Sequence, residues 1–220
     1  MMIGNYLHPP NFDALKWSSE SLWPQIRQVL PDAELHIYGA YTTKEATLLS
    51  KKEIGLVVRG PVDNLDGLFD KYRVNFAPLR FGAGIKGKIT DGWYRGVPCL
   101  TTPIGSEGLH YQKTSPDSWG GIVVDNIKAF QDAAVTLYTD QSKWESYQKN
   151  GYELIDKHFE LEKNGSELKE NLLAALANKD TIRGENVTGS ILQHHFSKSY
   201  EYFSKFIGLF EWFCFIHVFY

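Results

Sequence analysis

The feature that most constrains this fold is a rhythm. Short apolar runs alternate with segments of helical spacing, and the runs end at or next to glycines. Residues 3–6, 34–39, 54–58, 74–79, 98–102 and 122–124 read as six strands. Residues 13–30, 44–50, 65–72 and 88–95 read as the helices between them. Continuous apolar runs separated by helices mean a parallel sheet covered on both faces. The expected fold class is therefore α/β, with a doubly wound, mostly parallel six-stranded sheet.

In the 13–30 segment Leu15, Leu22, Ile26 and Val29 fall on one helical face. Pro24 lies inside it and predicts a kink or a split into two helices. Further helices are expected over 127–138, 143–158, 165–178 and 185–207. The expected domain is 1–183, followed by a helical C-terminal tail over 184–220.

Gly4, Gly39, Gly60, Gly82, Gly84 and Gly105 all lie at or just past the carboxyl end of a predicted strand. Ligands of open α/β sheets bind along that edge. Glycine there lets a ligand approach the backbone closely. The segment Arg80-Phe81-Gly82-Ala83-Gly84-Ile85-Lys86-Gly87-Lys88 joins a buried strand to a helix. A helix N-terminus offers unpaired N–H groups and the positive end of the macrodipole. Lys86 and Lys88 add positive charge, so the segment suits a diphosphate. Gly82, Gly87 and Lys88 also fit G-x-x-x-x-G-K, the phosphate loop of nucleotide hydrolases. Ile89 stands where that loop needs a magnesium-binding hydroxyl, and Thr90 is one place late. Such a hydrolase is the alternative reading, as is a non-catalytic binding module.

The run from Phe76 to Lys88, followed by Asp91-Gly-Trp-Tyr-Arg-Gly96-Val-Pro98 and Gly105-Ser-Glu107-Gly108, resembles the C-terminal, donor-binding domain of group 1 GT-B glycosyltransferases. Gly4-Asn5-Tyr6 with Pro9-Pro10-Asn11 is similar to the first loop of that domain. The resemblance covers most of residues 3–207. It implies a Rossmann-like sheet forming half of a GT-B fold. It implies transfer of a hexosyl group from a nucleotide-diphosphate sugar, with retention at the anomeric carbon, no catalytic metal and no cofactor. Gly82, Ala83, Gly84, Ile85 and Lys86 would hold the diphosphate, with Lys86 the main cation. Asp91 matches the second glutamate of the family's paired-glutamate motif and would bind the donor ribose; the first glutamate falls at Ala83. Lys86 and Asp91 are thus the expected catalytic residues. Gly60 and Val62 would lie near the base, and Gly4, Asn5, Arg80, Thr102, Gly105 and Glu107 would line the rest of the site. An acceptor-binding N-terminal domain is the implied partner, and without it the chain is expected to transfer no sugar.

Composition removes other classes. A net charge of −3 without a basic stripe argues against nucleic-acid binding. Cys99 and Cys214 fit no metal spacing, and Cys99 reads as a buried apolar thiol in a reduced, cytoplasmic chain. His194 and His195 lack acidic or cysteine partners at metal spacing and read as ordinary helix residues. Residues 209–220 are dominated by apolar and aromatic side chains but include Glu211 and His217. That run is shorter than the ~20 residues of a membrane span. Packing on the domain, contact with a partner or a membrane surface, and an altered reading of the gene's end are the readings open to it, membrane contact being the least favoured.

Overall fold

The computed structural model describes residues 1–109 and 116–218. Six strands form: β1 Met2–Ile3, β2 Leu35–Tyr38, β3 Leu56–Gly60, β4 Asn75–Ala77, β5 Cys99–Thr101 and β6 Gly121–Val123. All named pairings are parallel, in the orders β1-β2-β3 and β4-β5-β6. The two halves meet at β1 and β4. The Phe76 N–H donates to the Met1 carbonyl at 2.7 Å, and the Met1 amino group donates to the Val74 carbonyl at 2.7 Å. The joined order is β3-β2-β1-β4-β5-β6, which places the topological switch point between the carboxyl ends of β1 and β4.

The first helical segment is split in a way the sequence suggested only in part. Helix α1 spans Pro9–Trp17, with prolines in its first turn, where their missing N–H costs nothing. A π-helical turn follows over Ser18–Leu22, and α2 runs Trp23–Val29 with Pro24 in its own first turn. Ser18 Oγ donates to the Ala14 carbonyl at 2.6 Å, and Ser19 Oγ donates to the Leu49 carbonyl at 2.8 Å. The widened turn therefore sits where serine hydroxyls engage carbonyls and a proline lacks its N–H. Helix α3 is Lys44–Leu48, and α4, after the glycine-rich loop, is Gly87–Tyr94. The segment 65–72, expected as a helix, forms only a 3-10 turn at Phe69–Lys71. Helices α5, Ile127–Thr139, and α6, Gln141–His158, start at side-chain caps from Asn126 and Asp140.

Both faces of the sheet are covered. Leu15, Leu22, Ile26, Ile37, Leu56, Leu100 and Phe130 are buried in one cluster. Ile89, Trp93, Cys99, Leu109, Trp119 and Leu154 are buried in another, where the Trp93 and Trp119 rings meet edge to face at 4.9 Å. Each such side chain contributes roughly 1.5–3 kcal/mol by leaving water. Cys99 is the apolar thiol that its sequence context indicates.

The chain divides into two compact units, Met1–Glu160 and Leu161–Tyr220. Helix α7, Leu161–Ala177, has no buried residue. The second unit continues with α8, Lys179–Glu185, and α9, Val187–Val218. Helix α9 runs on past residue 207, into the apolar tail, whose last two residues lie outside the described ones. Among the described residues no helix is long and apolar enough to cross a membrane.

Candidate functional site

The loop between β4 and α4 rises at the switch point. Gly82 (φ +126°) and Gly84 (φ +76°) lie in backbone regions that L side chains avoid, so the turn between β4 and α4 suits glycine at both positions. Lys86 occupies the N-cap position and its side chain caps nothing. Among the described residues, no group accepts a hydrogen bond from the backbone N–H groups of residues 82–88. Ala83, Gly84 and Ile85 are exposed, so these donors face solvent-accessible space.

Two ammonium groups flank this cradle. Lys86 Nζ donates to the Gly84 carbonyl at 2.6 Å and lies 3.7 Å from a carboxylate oxygen of Glu107. Lys88 reaches down to the carboxyl end of β1, where its Nζ donates to Asn11 Oδ1 at 2.5 Å. Burial, the largest cause, and the neighbouring Lys86 charge lower the Lys88 pKa to about 8. A Cβ added to Gly4 would lie 2.9 Å from Asn11 Cγ and 3.1 Å from Lys88 Nζ, so the absence of a side chain there makes room for the ammonium. Asn11 is held by its Nδ2, which donates to the Asn5 carbonyl at 2.9 Å. Asn5 Oδ1 accepts the Leu7 N–H at 2.9 Å, so Asn5 shapes the β1–α1 loop.

The remaining residues singled out in the sequence separate into two groups. Glu107 meets the cradle through Lys86, and Gly105 is buried in the same loop after β5. There Thr102 Oγ1 donates to the Leu79 carbonyl and accepts the Gly105 N–H at 3.1 Å. Thr102 is buried, so its hydroxyl stitches the loops after β4 and β5 together. Arg80 turns to α1 and grips the Asp13 carboxylate with two nitrogens, at 2.8 and 2.5 Å, while its guanidinium lies 5.4 Å from the Trp17 ring centre. Asp91 sits one turn into α4, half exposed, 3.6 Å from Arg95, which also reaches Asp66 at 3.3 Å. This chain connects Asp91 to the loop after β3, where Gly60 (φ +86°) starts the turn and Val62 packs beside Leu68 and Phe69.

Asn11 and the buried position of Lys88 are what the sequence reading did not single out as site features. The signal was present in Pro9-Pro10-Asn11, but their meeting across 77 positions needs the tertiary fold. The hydrolase-type phosphate loop loses its footing: Ile89 is fully buried in the core, and the Thr90 hydroxyl donates to the Gly87 carbonyl at 2.9 Å. His194 and His195 are exposed on α9, and no group of His, Cys, Asp or Glu among the described residues is arranged to hold a metal. A groove of about 380 Å³, lined by apolar residues such as Trp23, Ile26 and Phe76 and by charged ones such as Asp32, Glu34 and Arg73, lies at the opposite, amino end of the sheet. None of the residues of the glycine-rich loop lines that groove.

A parallel α/β sheet with order β3-β2-β1-β4-β5-β6 and a glycine-rich loop at its switch point defines a Rossmann-like domain. Residues 1–140 match the family model described as glycosyl transferases group 1, and the chain belongs to that family. A curated relative, an uncharacterized 44.6 kDa protein in the cps region of Klebsiella pneumoniae, is 26% identical over 115 residues, covering 49% of this chain and 30% of the relative. Among solved structures, a mutant of S. aureus TarM in a complex that includes UDP aligns with a TM-score of 0.60 at 12% identity, over 74% of this chain and 32% of that one. Anabaena HepE in complex with UDP aligns with a TM-score of 0.61 at 13% identity, over 79% and 48%. The C-terminal domain of a group 1 glycosyl transferase, LpcC from Francisella tularensis, aligns at 0.54 and 12% identity, over 73% and 85%. The chain thus spans about a third of the Klebsiella relative and of TarM, and under half of HepE. It corresponds in extent to the isolated C-terminal domain of LpcC.

Proposed function

We propose that this chain is the donor-binding half of a glycosyltransferase and holds a nucleotide-diphosphate sugar at the switch point. One observation carries the reading: amides of residues 82–88 that have no partner among the described residues, in a loop with two left-handed glycines, lie between two ammonium groups. The diphosphate lies against those amides, Lys86 exchanges its Gly84 and Glu107 contacts for a phosphate oxygen, and Asp91 accepts from the ribose hydroxyls. Gly60 and Val62 approach the base, and Glu107 lies toward the sugar. The UDP present in the HepE and TarM complexes supports a uridine diphosphate donor.

The hexosyl group leaves a diphosphate that gains negative charge as the glycosidic bond breaks. Amides and ammonium groups already in place stabilise that charge without reorganising. No metal is required for that step, and the sugar is transferred with retention. The acceptor comes from a separate N-terminal domain, so the chain by itself binds donor and transfers no sugar.

The test is calorimetric titration with UDP, GDP and ADP, with and without magnesium, on the wild-type chain and on Lys86→Ala. Metal-independent binding of one of these diphosphates, weakened about ten-fold or more in Lys86→Ala, is the expected result; a lost charge-assisted hydrogen bond of about 1.5–3 kcal/mol corresponds to that factor. Binding only of triphosphates, and only with magnesium, would overturn it.

A further inference from the structure

Among the described residues, three carboxylates near the cradle each have a cation. Asp13 is paired with Arg80, Asp91 with Arg95 and Glu107 with Lys86. Lys88 is the exception: its ammonium is buried, carries three N–H donors, and has the neutral Asn11 Oδ1 as its one hydrogen-bond partner among the described residues. The other groups that face it bring no negative charge. Cys99 on β5 has its thiol pKa pushed up by burial, and it stays neutral. The Met1 amino group next to Cys99 is lowered to about 5 by burial and is neutral at pH 7. Lys86 is a like charge, and the Asn75 amide donates to the Lys88 carbonyl rather than to the ammonium. A buried cation without an anion is costly, and its placement against Gly4 at the switch point gives that cost a reason.

We propose that Lys88 is the proton-linked residue of this site: it takes a phosphate oxygen of the incoming diphosphate beside Gly4, and donor binding draws a proton onto it. This rests on the donor-site reading and extends it to the control of binding by pH. In the empty site the ammonium titrates at about 8. A neighbouring diphosphate favours the charged form and moves that titration upward. Between the two values, binding is accompanied by proton uptake, and affinity falls as pH rises above 8. The terminal phosphate of UDP, with a second pKa of about 6, is almost wholly ionised at pH 8 and 9, so the ligand contributes almost no proton change of its own there.

The experiment is titration of the full chain with UDP at pH 7, 8 and 9, each in two buffers of different ionisation enthalpy. Wild type, Lys88→Met and Lys88→Arg are compared, with circular dichroism and thermal melting as checks that each variant is folded. Wild type is expected to take up about half a proton per UDP at pH 8 and to lose about ten-fold in affinity between pH 7 and pH 9, the change in the protonated fraction of a group with a pKa near 8. Lys88→Met should bind more weakly and show neither effect, and Lys88→Arg should keep its charge and show no proton uptake at pH 8. UDP binding by wild type without proton uptake at pH 8, or with the same uptake in Lys88→Met, would overturn the role of Lys88 and leave the donor site standing. No binding of UDP or of inorganic pyrophosphate to the wild type at pH 7 would remove the donor site itself, and this proposal with it.

Discussion

Lys88 shows at the scale of one residue how binding and stability oppose each other. Its folded pKa of about 8 lies below its ordinary 10.5, so between these values the unfolded chain binds more protons than the folded one. Stability therefore rises with pH across that window, and below pH 8 the full cost of the buried charge is present, on the order of 3 kcal/mol at most. Lys88→Met removes that charge and keeps the length of the side chain. It should raise the stability of the unliganded protein at pH 7 by about 1–3 kcal/mol while weakening UDP binding. Urea titration at pH 7 and pH 9 checks this: the gain should be larger at pH 7. A variant less stable than wild type at pH 7 would mean that the Asn11 hydrogen bond outweighs the desolvation. The sequence showed two lysines two places apart, with Lys86 as the main cation. It could not show that one folds back on its own loop and the other is buried against β1, because that depends on where Gly4 and Asn11 arrive.

At the scale of elements, the glycines of one stretch do different work. Gly84 has a left-handed backbone and open space where a Cβ would go, so Gly84→Ala meets no neighbour. The substitution costs about 1 kcal/mol of backbone strain and re-aims the loop amides. Calorimetry should show UDP affinity reduced several-fold, with the melting temperature nearly unchanged. Gly96 ends α4 in the left-handed conformation (φ +73°), and a Cβ there would lie 2.8 Å from Gln148 Nε2 and 2.9 Å from Tyr152 Cζ. Gly96→Ala should therefore destabilise by about 1–3 kcal/mol, seen by urea titration, and leave UDP affinity within two-fold at temperatures where the variant is folded. The alternation of strand and helix and the glycine-rich loop were legible because each rests on local pattern. The π-helical turn at Ser18–Leu22 was not, because Ser19 bonds to Leu49, 30 positions away. The 65–72 segment fell short of a helix for a similar reason: Leu68, Phe69 and Val62 pack as a cluster with Val97 and Met1, and tertiary burial overrides the local spacing.

For the whole molecule, every residue proposed to touch the donor lies in the unit Met1–Glu160, which has its own sheet and both apolar clusters. In the other unit, apolar side chains such as Leu168, Leu172 and Leu176 on α7 and Phe196, Phe203 and Phe206 on α9 are more than half exposed. Surfaces of that kind promote association when left in water. A chain ended after Glu160 should therefore unfold in one cooperative transition and bind UDP within about three-fold of the full-length chain, since no donor contact is removed. It should also remain monomeric at concentrations where the full chain self-associates. Denaturant unfolding, calorimetry and sedimentation velocity read these three quantities separately. Loss of cooperative unfolding would show that helices after residue 160 stabilise the sheet. Retained folding with loss of UDP binding would show that the second unit reaches the donor, and the site would then have to be redrawn to include it.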